Sequence, residues 1–120
     1  MKRYGFTKSD RILKHSGYSN LTRFGKTIRD QFFIVVYANG YNERSRLGIT
    51  VSKRVGNAVM RNRLKRVIRE FFRLNRDLIK GHWDFNVIAK KDAADLSHHQ
   101  AFLALTQLFG KMARKIDDGR

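Results

Sequence analysis

Histidine, aspartate, glutamate and a dense set of arginines are the side chains of this sequence whose type and spacing could do chemistry. Hydrolysis by the chain itself would need carboxylates around a metal, or paired groups for general acid–base work. His82 and Asp84 stand two apart at the start of an alternating apolar segment, while His98 and His99 are adjacent and so project from different sides of a helix. Glu70 stands among cations, where an ion pair is its simplest use. None of these has the spacing of a metal-ligand set or a catalytic dyad. Gly48 and Gly56 are isolated and build no loop that cradles phosphate. The expectation is a chain without a reaction centre of its own, and the arginines become the feature to explain.

They concentrate in "KRVGNAVMRNRLKRVIREFFR", residues 53–73, where eight of 21 residues are Lys or Arg and only Glu70 is acidic. On a helical wheel, Met60, Leu64, Val67, Ile68 and Phe71 share one arc, with Leu78 extending it. Asn62, Lys65, Arg66, Arg69, Arg73 and Arg76 gather opposite, and Arg61 and Arg63 flank the apolar stripe. A solvated helix face normally mixes charge signs, because oppositely charged pairs four apart stabilise it and like pairs do the reverse. Here Lys65, Arg69 and Arg73 follow one another at intervals of four. Arg61 and Arg63 near the helix start also oppose its dipole. A bound phosphate would relieve both conflicts, since backbone N–H groups and guanidinium forks can converge on it. The predominance of Arg favours phosphate recognition over solubility alone.

The whole chain repeats that bias. Lys and Arg number 26 against 10 Asp and Glu, a formal charge of +16 that is self-repelling unless a polyanion neutralises it. Nucleic acid is the leading partner, ahead of an anionic membrane surface. Without cysteine, disulfides and thiolate metal sites are excluded, and a reducing compartment suits the chain. No apolar run approaches the roughly 20 residues of a membrane span, and "MKRYGFTKSDR" has no apolar stretch of a secretory signal. The cytoplasm is the expected location.

At 42% hydrophobic residues and 120 in all, the chain is expected to form one nucleic-acid-binding domain with a core able to hold the basic helix. Residues 1–14 are predicted to form a basic, partly ordered arm and residues 117–120 a frayed tail. "HSGYSNLTRFGK" suggests a short first helix, with Ser16 as cap and Gly25 as stop. "QFFIVVYA" is apolar on both faces and predicts a buried central strand. Asn39-Gly40 then suggests a hairpin into "RLGITVSKRV", where Leu47, Ile49 and Val51 alternate with polar residues. Asn57 is the expected cap of the basic helix. "GHWDFNVIAKKD" predicts another strand, and Ser97 caps a last helix with Phe102, Leu105, Phe109, Met112 and Ile116 on one stripe. The result is an α+β sandwich, one sheet with helices packed on it. The aromatics Phe32, Phe33, Tyr37 and Phe85 are expected mainly in the core, with a minority on an open sheet face able to stack on unpaired bases. Tyr18 on the first helix is the better stacking candidate.

"SKRVGNAVMRNRLKR", residues 52–66, resembles the signature of the bacterial ribonuclease P protein subunit. Arg61, Asn62 and Arg63 match that family's Arg-Asn-Arg motif, and Lys53, Gly56, Asn57, Ala58, Lys65 and Arg66 match its context. "RLGITVSK" and "FNVIAKK" resemble the strands on either side, and the order of elements agrees from about Lys8 to Ile116.

The resemblance implies a fold of order α-β-β-β-α-β-α, with a four-stranded sheet and a left-handed βαβ crossover through the motif helix. It implies a ribonucleoprotein endonuclease that removes the 5′ leader of precursor tRNA. Catalysis then belongs to the RNA subunit with Mg²⁺ held mainly by RNA, and the protein has no obligate protein partner and no membrane. Lys53, Arg54, Asn57, Arg61, Asn62, Arg63, Lys65, Arg66 and Arg69 would bind the catalytic RNA. Tyr18, Phe33, Lys65 and Arg69 would line a cleft for the single-stranded leader. Thr22 and Val36 depart from the family, which can carry aromatics there, and Phe24 or Phe32 would substitute. The charge alone also fits a ribosomal or general RNA-binding protein, but it does not account for the Arg-Asn-Arg context.

Overall fold

The computed structural model describes residues 21, 23, 25–40, 45–78 and 81–118. Four strands form one mixed sheet: β1 (Lys26–Arg29), β2 (Phe33–Asn39), β3 (Arg46–Thr50) and β4 (Trp83–Ala89). Helix α1 (Ala58–Asn75) joins β3 to β4, and helix α2 (His98–Asp118) follows a 3₁₀ turn at Lys91–Asp95. The spatial order is β1-β2-β4-β3. β1 and β4 both run antiparallel to β2, while β3 runs parallel to β4. β3, α1 and β4 are therefore a βαβ unit, and β2 and β4 are the two central strands. The first helix lies outside the described residues apart from helical Leu21 and Arg23, and so do the arm at 1–14 and residues 119–120.

The hairpin expected between β2 and β3 does not form, because β4 separates them. Asn39-Gly40 does end β2, but the Gly40 N–H donates to the His82 carbonyl at 2.8 Å, at the threshold of β4. The turn residues mark where the strand stops and leave its partner undecided.

Alternation along the strands sorts the side chains. Phe33, Val35 and Tyr37 of β2, Phe85, Val87 and Ala89 of β4, and Leu47 of β3 are buried under the helices. Ile34, Val36, Ala38, Asn86 and Ile88 lie on the other face and are half-buried. From α1, Leu64, Val67, Ile68, Phe71 and Phe72 join the core; Met60 is half-buried and Leu78, beyond the helix, is exposed. Phe71 and Phe85 both contact the Phe109 ring of α2, at 5.0 and 5.5 Å between centroids. Burying the five α1 side chains is worth on the order of 10 kcal/mol in gross terms. Like-charge pairs on the outer face cost only about 0.2–0.5 kcal/mol each. The core therefore holds the cationic helix in place against its own repulsion.

Both long helices start on side-chain caps. Asn57 Oδ1 accepts from the Met60 N–H at 2.9 Å, as the sequence suggests. At α2, Ser97 Oγ accepts from Gln100 N–H at 3.1 Å, and Gln100 Oε1 accepts from Ser97 N–H at 2.9 Å. This reciprocal pair satisfies two donors at the helix start and fixes the entry of the chain. Gly25 does end the helical turn at Leu21, but not through a left-handed conformation, since the only positive φ among the described residues is at Gly81. Its lack of a Cβ is needed for close approach: a Cβ would collide with the Leu21 carbonyl and stand 2.7 Å from Val36 Cγ1. The helical turn thus presses onto the sheet at Val36, on the face opposite the two long helices.

Candidate nucleic-acid interface

The turn that leads into α1 is built around an apolar anchor. Val55 is buried and its N–H donates to the Ser52 carbonyl at 3.1 Å, which leaves Lys53 and Arg54 exposed at the turn's tip. The Asn57 cap then starts the helix, and its first turn holds no acidic residue. Positive ends of the backbone dipoles and the basic turn are therefore adjacent.

The three motif residues do not share one environment. Asn62 is exposed on the outer face. Arg61 is half-buried, and its Nε donates to the Gly56 carbonyl at 3.2 Å, which folds the guanidinium back over the helix start. Arg63 turns inward toward the segment before α2. Its Nη1 donates to the Leu96 carbonyl at 3.0 Å and its Nη2 to the Ala94 carbonyl at 3.2 Å, with Met60 Sδ also at 3.2 Å. The Arg63 guanidinium thus satisfies two backbone carbonyls within the protein, a role that its place in the motif does not reveal.

Farther along α1, Lys65, Arg66, Arg69 and Arg73 lie on the outer side, with Arg66 the most open of them. Arg69 Nε donates to the Lys65 carbonyl at 3.3 Å, so its side chain lies along the helix. Arg66, Arg69, Glu70 and Arg73 line a shallow groove. This is a rigid array of guanidiniums on one helix face, suited to several phosphates of a folded or extended polynucleotide.

Of the residues expected to line a cleft for a single strand, the described ones are Phe33, Lys65 and Arg69. Lys65 and Arg69 are neighbours on α1. Phe33 is fully buried in the core and offers no ring face to a base. Strand parity explains the correction: Phe33 points under the helices, whereas Ile34 and Val36 point to the open face. Tyr18, Thr22 and Phe24 lie outside the described residues. Of the four sheet aromatics, only Phe32 is half-exposed; Tyr37 and Phe85 are buried with Phe33. The open face instead offers an apolar floor of Ile34, Val36 and Ile88, beside a Thr50 hydroxyl that donates to Asn86 Oδ1 at 3.2 Å.

Arg46 and Asp84 close one end of that face, and sequence reasoning passed over Arg46. They are register partners on β3 and β4. Arg46 Nε donates to Asp84 Oδ1 at 2.9 Å and its second nitrogen to Oδ2 at 2.7 Å. The hydrogen bonds to Asp84 hold the Arg46 pKa above the ordinary guanidinium value, outweighing the lowering from partial burial. Asp84 is therefore an ion-pair partner and not a neighbour for His82 in chemistry. Strand alternation does put Arg46 on the same face as Thr50; its pairing with Asp84 follows only from the β3–β4 register. Among the described residues, no three His, Asp or Glu side chains converge as a metal site would require.

Comparison with known proteins places the whole chain in a family. The family model described as Ribonuclease P matches residues 6–113. The "Ribonuclease P protein component" of Desulforapulum autotrophicum is 46% identical over 114 residues, covering 95% of this chain and 97% of that one. The protein of the same description from Desulfosudis oleivorans is 44% identical over 120 residues, covering 100% and 99%. Among solved structures, the RNase P protein of Staphylococcus aureus superposes with a TM-score of 0.81 at 36% identity, covering 88% of this chain and 96% of that one. That of Thermotoga maritima, bound to 1-(4-fluorophenyl)-2-thiourea, gives 0.77 at 29% identity, covering 83% and 97%.

Proposed function

The chain belongs to the bacterial ribonuclease P protein family, the protein subunit of a ribonucleoprotein endoribonuclease, and from that premise we propose how its basic helix and sheet divide the work. The outer face of α1, with Lys53 and Arg54 of the preceding turn, docks the RNA subunit. The open face of the sheet holds the single-stranded 5′ leader of precursor tRNA, on a floor of Ile34, Val36 and Ile88, with Tyr18 as the proposed stacking residue. The observation that carries this reading is the α1 face itself: Lys65, Arg66, Arg69 and Arg73 are arrayed on a helix fixed by its buried opposite side.

In this reading the protein acts by charge and position. Its cations lower the repulsion between the RNA subunit and its precursor, and so strengthen association of Mg²⁺ with the complex. Mg²⁺ is held by the RNA and supplies the activation of water for phosphodiester hydrolysis. The chain's own residues fix the path of the leader, which needs sequence-tolerant contacts: cations for phosphates and apolar or aromatic surface for bases. Such a protein works in the cytoplasm, where tRNA precursors are made. Among the described residues, no helix is long and apolar enough to cross a membrane.

The test is reconstitution with the RNA subunit and a precursor tRNA. The expected result is that the chain alone cleaves nothing, and that it raises cleavage by the RNA at low Mg²⁺. Cleavage by the purified protein with Mg²⁺, lost on Asp84→Asn or His82→Ala, would overturn the proposal.

A further inference from the structure

Glu70 is the one acidic side chain of α1, and it lies in the groove with Arg66, Arg69 and Arg73. It stands four residues after Arg66 and three before Arg73, both spacings at which helix side chains can meet. Even so, no ion pair joins it to any described residue. Glu70 is half-buried, in the middle of a surface whose other members favour anions.

An ionised carboxylate only accepts hydrogen bonds. It repels a phosphate oxygen, and it weakens a purely electrostatic phosphate site. What it can recognise is a donor placed beside a phosphate. RNA presents one at every nucleotide: the ribose 2′-hydroxyl, which DNA lacks and which does not depend on the base. We propose that the Arg66–Arg69–Glu70–Arg73 groove is a ribose-phosphate subsite, in which the guanidiniums hold a phosphate and Glu70 accepts a hydrogen bond from the adjoining 2′-hydroxyl. The pair of requirements makes this part of the basic face select RNA over DNA. Hydroxyl-to-carboxylate hydrogen bonds are short and strong, and the partial burial of Glu70 favours them further. The inference rests on the reading that the outer face of α1 docks RNA.

The experiment measures binding of the full chain to a short single-stranded oligoribonucleotide and to its 2′-deoxy counterpart of the same base sequence, at one fixed salt concentration. The unsubstituted protein is expected to prefer the ribose strand about tenfold, equivalent to about 1.4 kcal/mol. Glu70→Ala should strengthen binding of both strands by removing a negative charge, and of the deoxy strand more, so that the preference falls to about twofold or less. Glu70→Gln keeps a carbonyl acceptor of the same shape and should retain part of the preference. The proposal is overturned if Glu70→Ala raises both affinities equally and leaves the ratio intact, for then Glu70 only tunes charge. It is equally overturned if the preference disappears with a chelator, for then a bridging cation is what Glu70 holds. If Arg66→Ala with Arg73→Ala leaves both affinities unchanged, the premise that this face docks RNA fails instead.

Discussion

Arg63 donates from Nη1 to the Leu96 carbonyl, 33 residues away, at 3.0 Å, and so ties the motif helix to the segment that launches α2. A second bond from Nη2 reaches the Ala94 carbonyl at 3.2 Å. Arg63→Ala leaves both carbonyls without this partner, and should cost about 1–3 kcal/mol of stability. It should also leave the salt dependence of RNA binding nearly unchanged. Arg66→Ala should do the opposite: little change in melting temperature, and a salt slope flatter by about one phosphate contact. Thermal denaturation and binding over a salt series check both. A flattened slope for Arg63→Ala with unaltered melting would show that its guanidinium reaches RNA.

The contrast shows what the sequence could and could not convey. The wheel placed Leu64, Val67, Ile68 and Phe71 correctly because burial follows helical period, and Asn57 and Ser97 were legible as caps because capping is local chemistry. Arg63 was assigned by its membership of a basic motif, yet its partners come from a segment some thirty residues on, and a wheel contains no such segment. The same limit explains the missing hairpin. Asn39-Gly40 is a local signal, while insertion of β4 between β2 and β3 depends on α1 carrying the chain across the sheet. Phe33 lies in the core as its composition suggests; only the cleft position that the family resemblance implies for it is not met, because its strand parity faces the helices.

The Arg46–Asp84 pair should matter more for stability than for chemistry. The side chains are 23% and 10% exposed, so Asp84→Ala leaves a largely desolvated guanidinium without its bidentate acceptor. A loss of about 3 kcal/mol is expected, at the low end for breaking a buried pair. The double substitution Asp84→Ala with Arg46→Met should lose less than the sum of the single changes, which denaturant melts can measure. The raised Arg46 pKa stabilises the fold below the free guanidinium value and would cease to do so only as pH rises through the higher folded value. Its contribution should therefore be flat between neutral pH and mild alkali; a fall in the Arg46-dependent stability between pH 7 and 9 would contradict this.

Gly25 is tested by the smallest possible addition. A Cβ at this position collides with the Leu21 carbonyl and stands 2.7 Å from Val36 Cγ1, and both are fixed by backbone or sheet. Gly25→Ala should cost about 1–3 kcal/mol, as overpacking does. If relief comes by lifting the helical turn off the sheet, Val36 becomes more exposed and leader affinity changes along with stability. Adding Val36→Ala should restore part of the loss by removing one of the two clashes. No recovery in the double variant would place the whole cost at the Leu21 carbonyl.

Asn57 separates helix formation from phosphate binding at the same place. Its Oδ1 accepts from the Met60 N–H at 2.9 Å, and the first turn of α1 has no acidic residue to support the dipole. Asn57→Ala should therefore cost about 1 kcal/mol, and Asn57→Asp should restore the cap while adding a favourable charge for the helix dipole. That same charge opposes a phosphate at the helix start. Asn57→Asp is thus expected to match or exceed the unsubstituted protein in melting temperature while binding RNA more weakly, most visibly at low salt. Stability and affinity moving in opposite directions would identify the start of α1 as an anion-facing surface. If Asn57→Asp instead keeps full affinity at low salt, phosphates lie beyond the reach of this turn, and docking is confined to the later residues Asn62, Arg66 and Arg73.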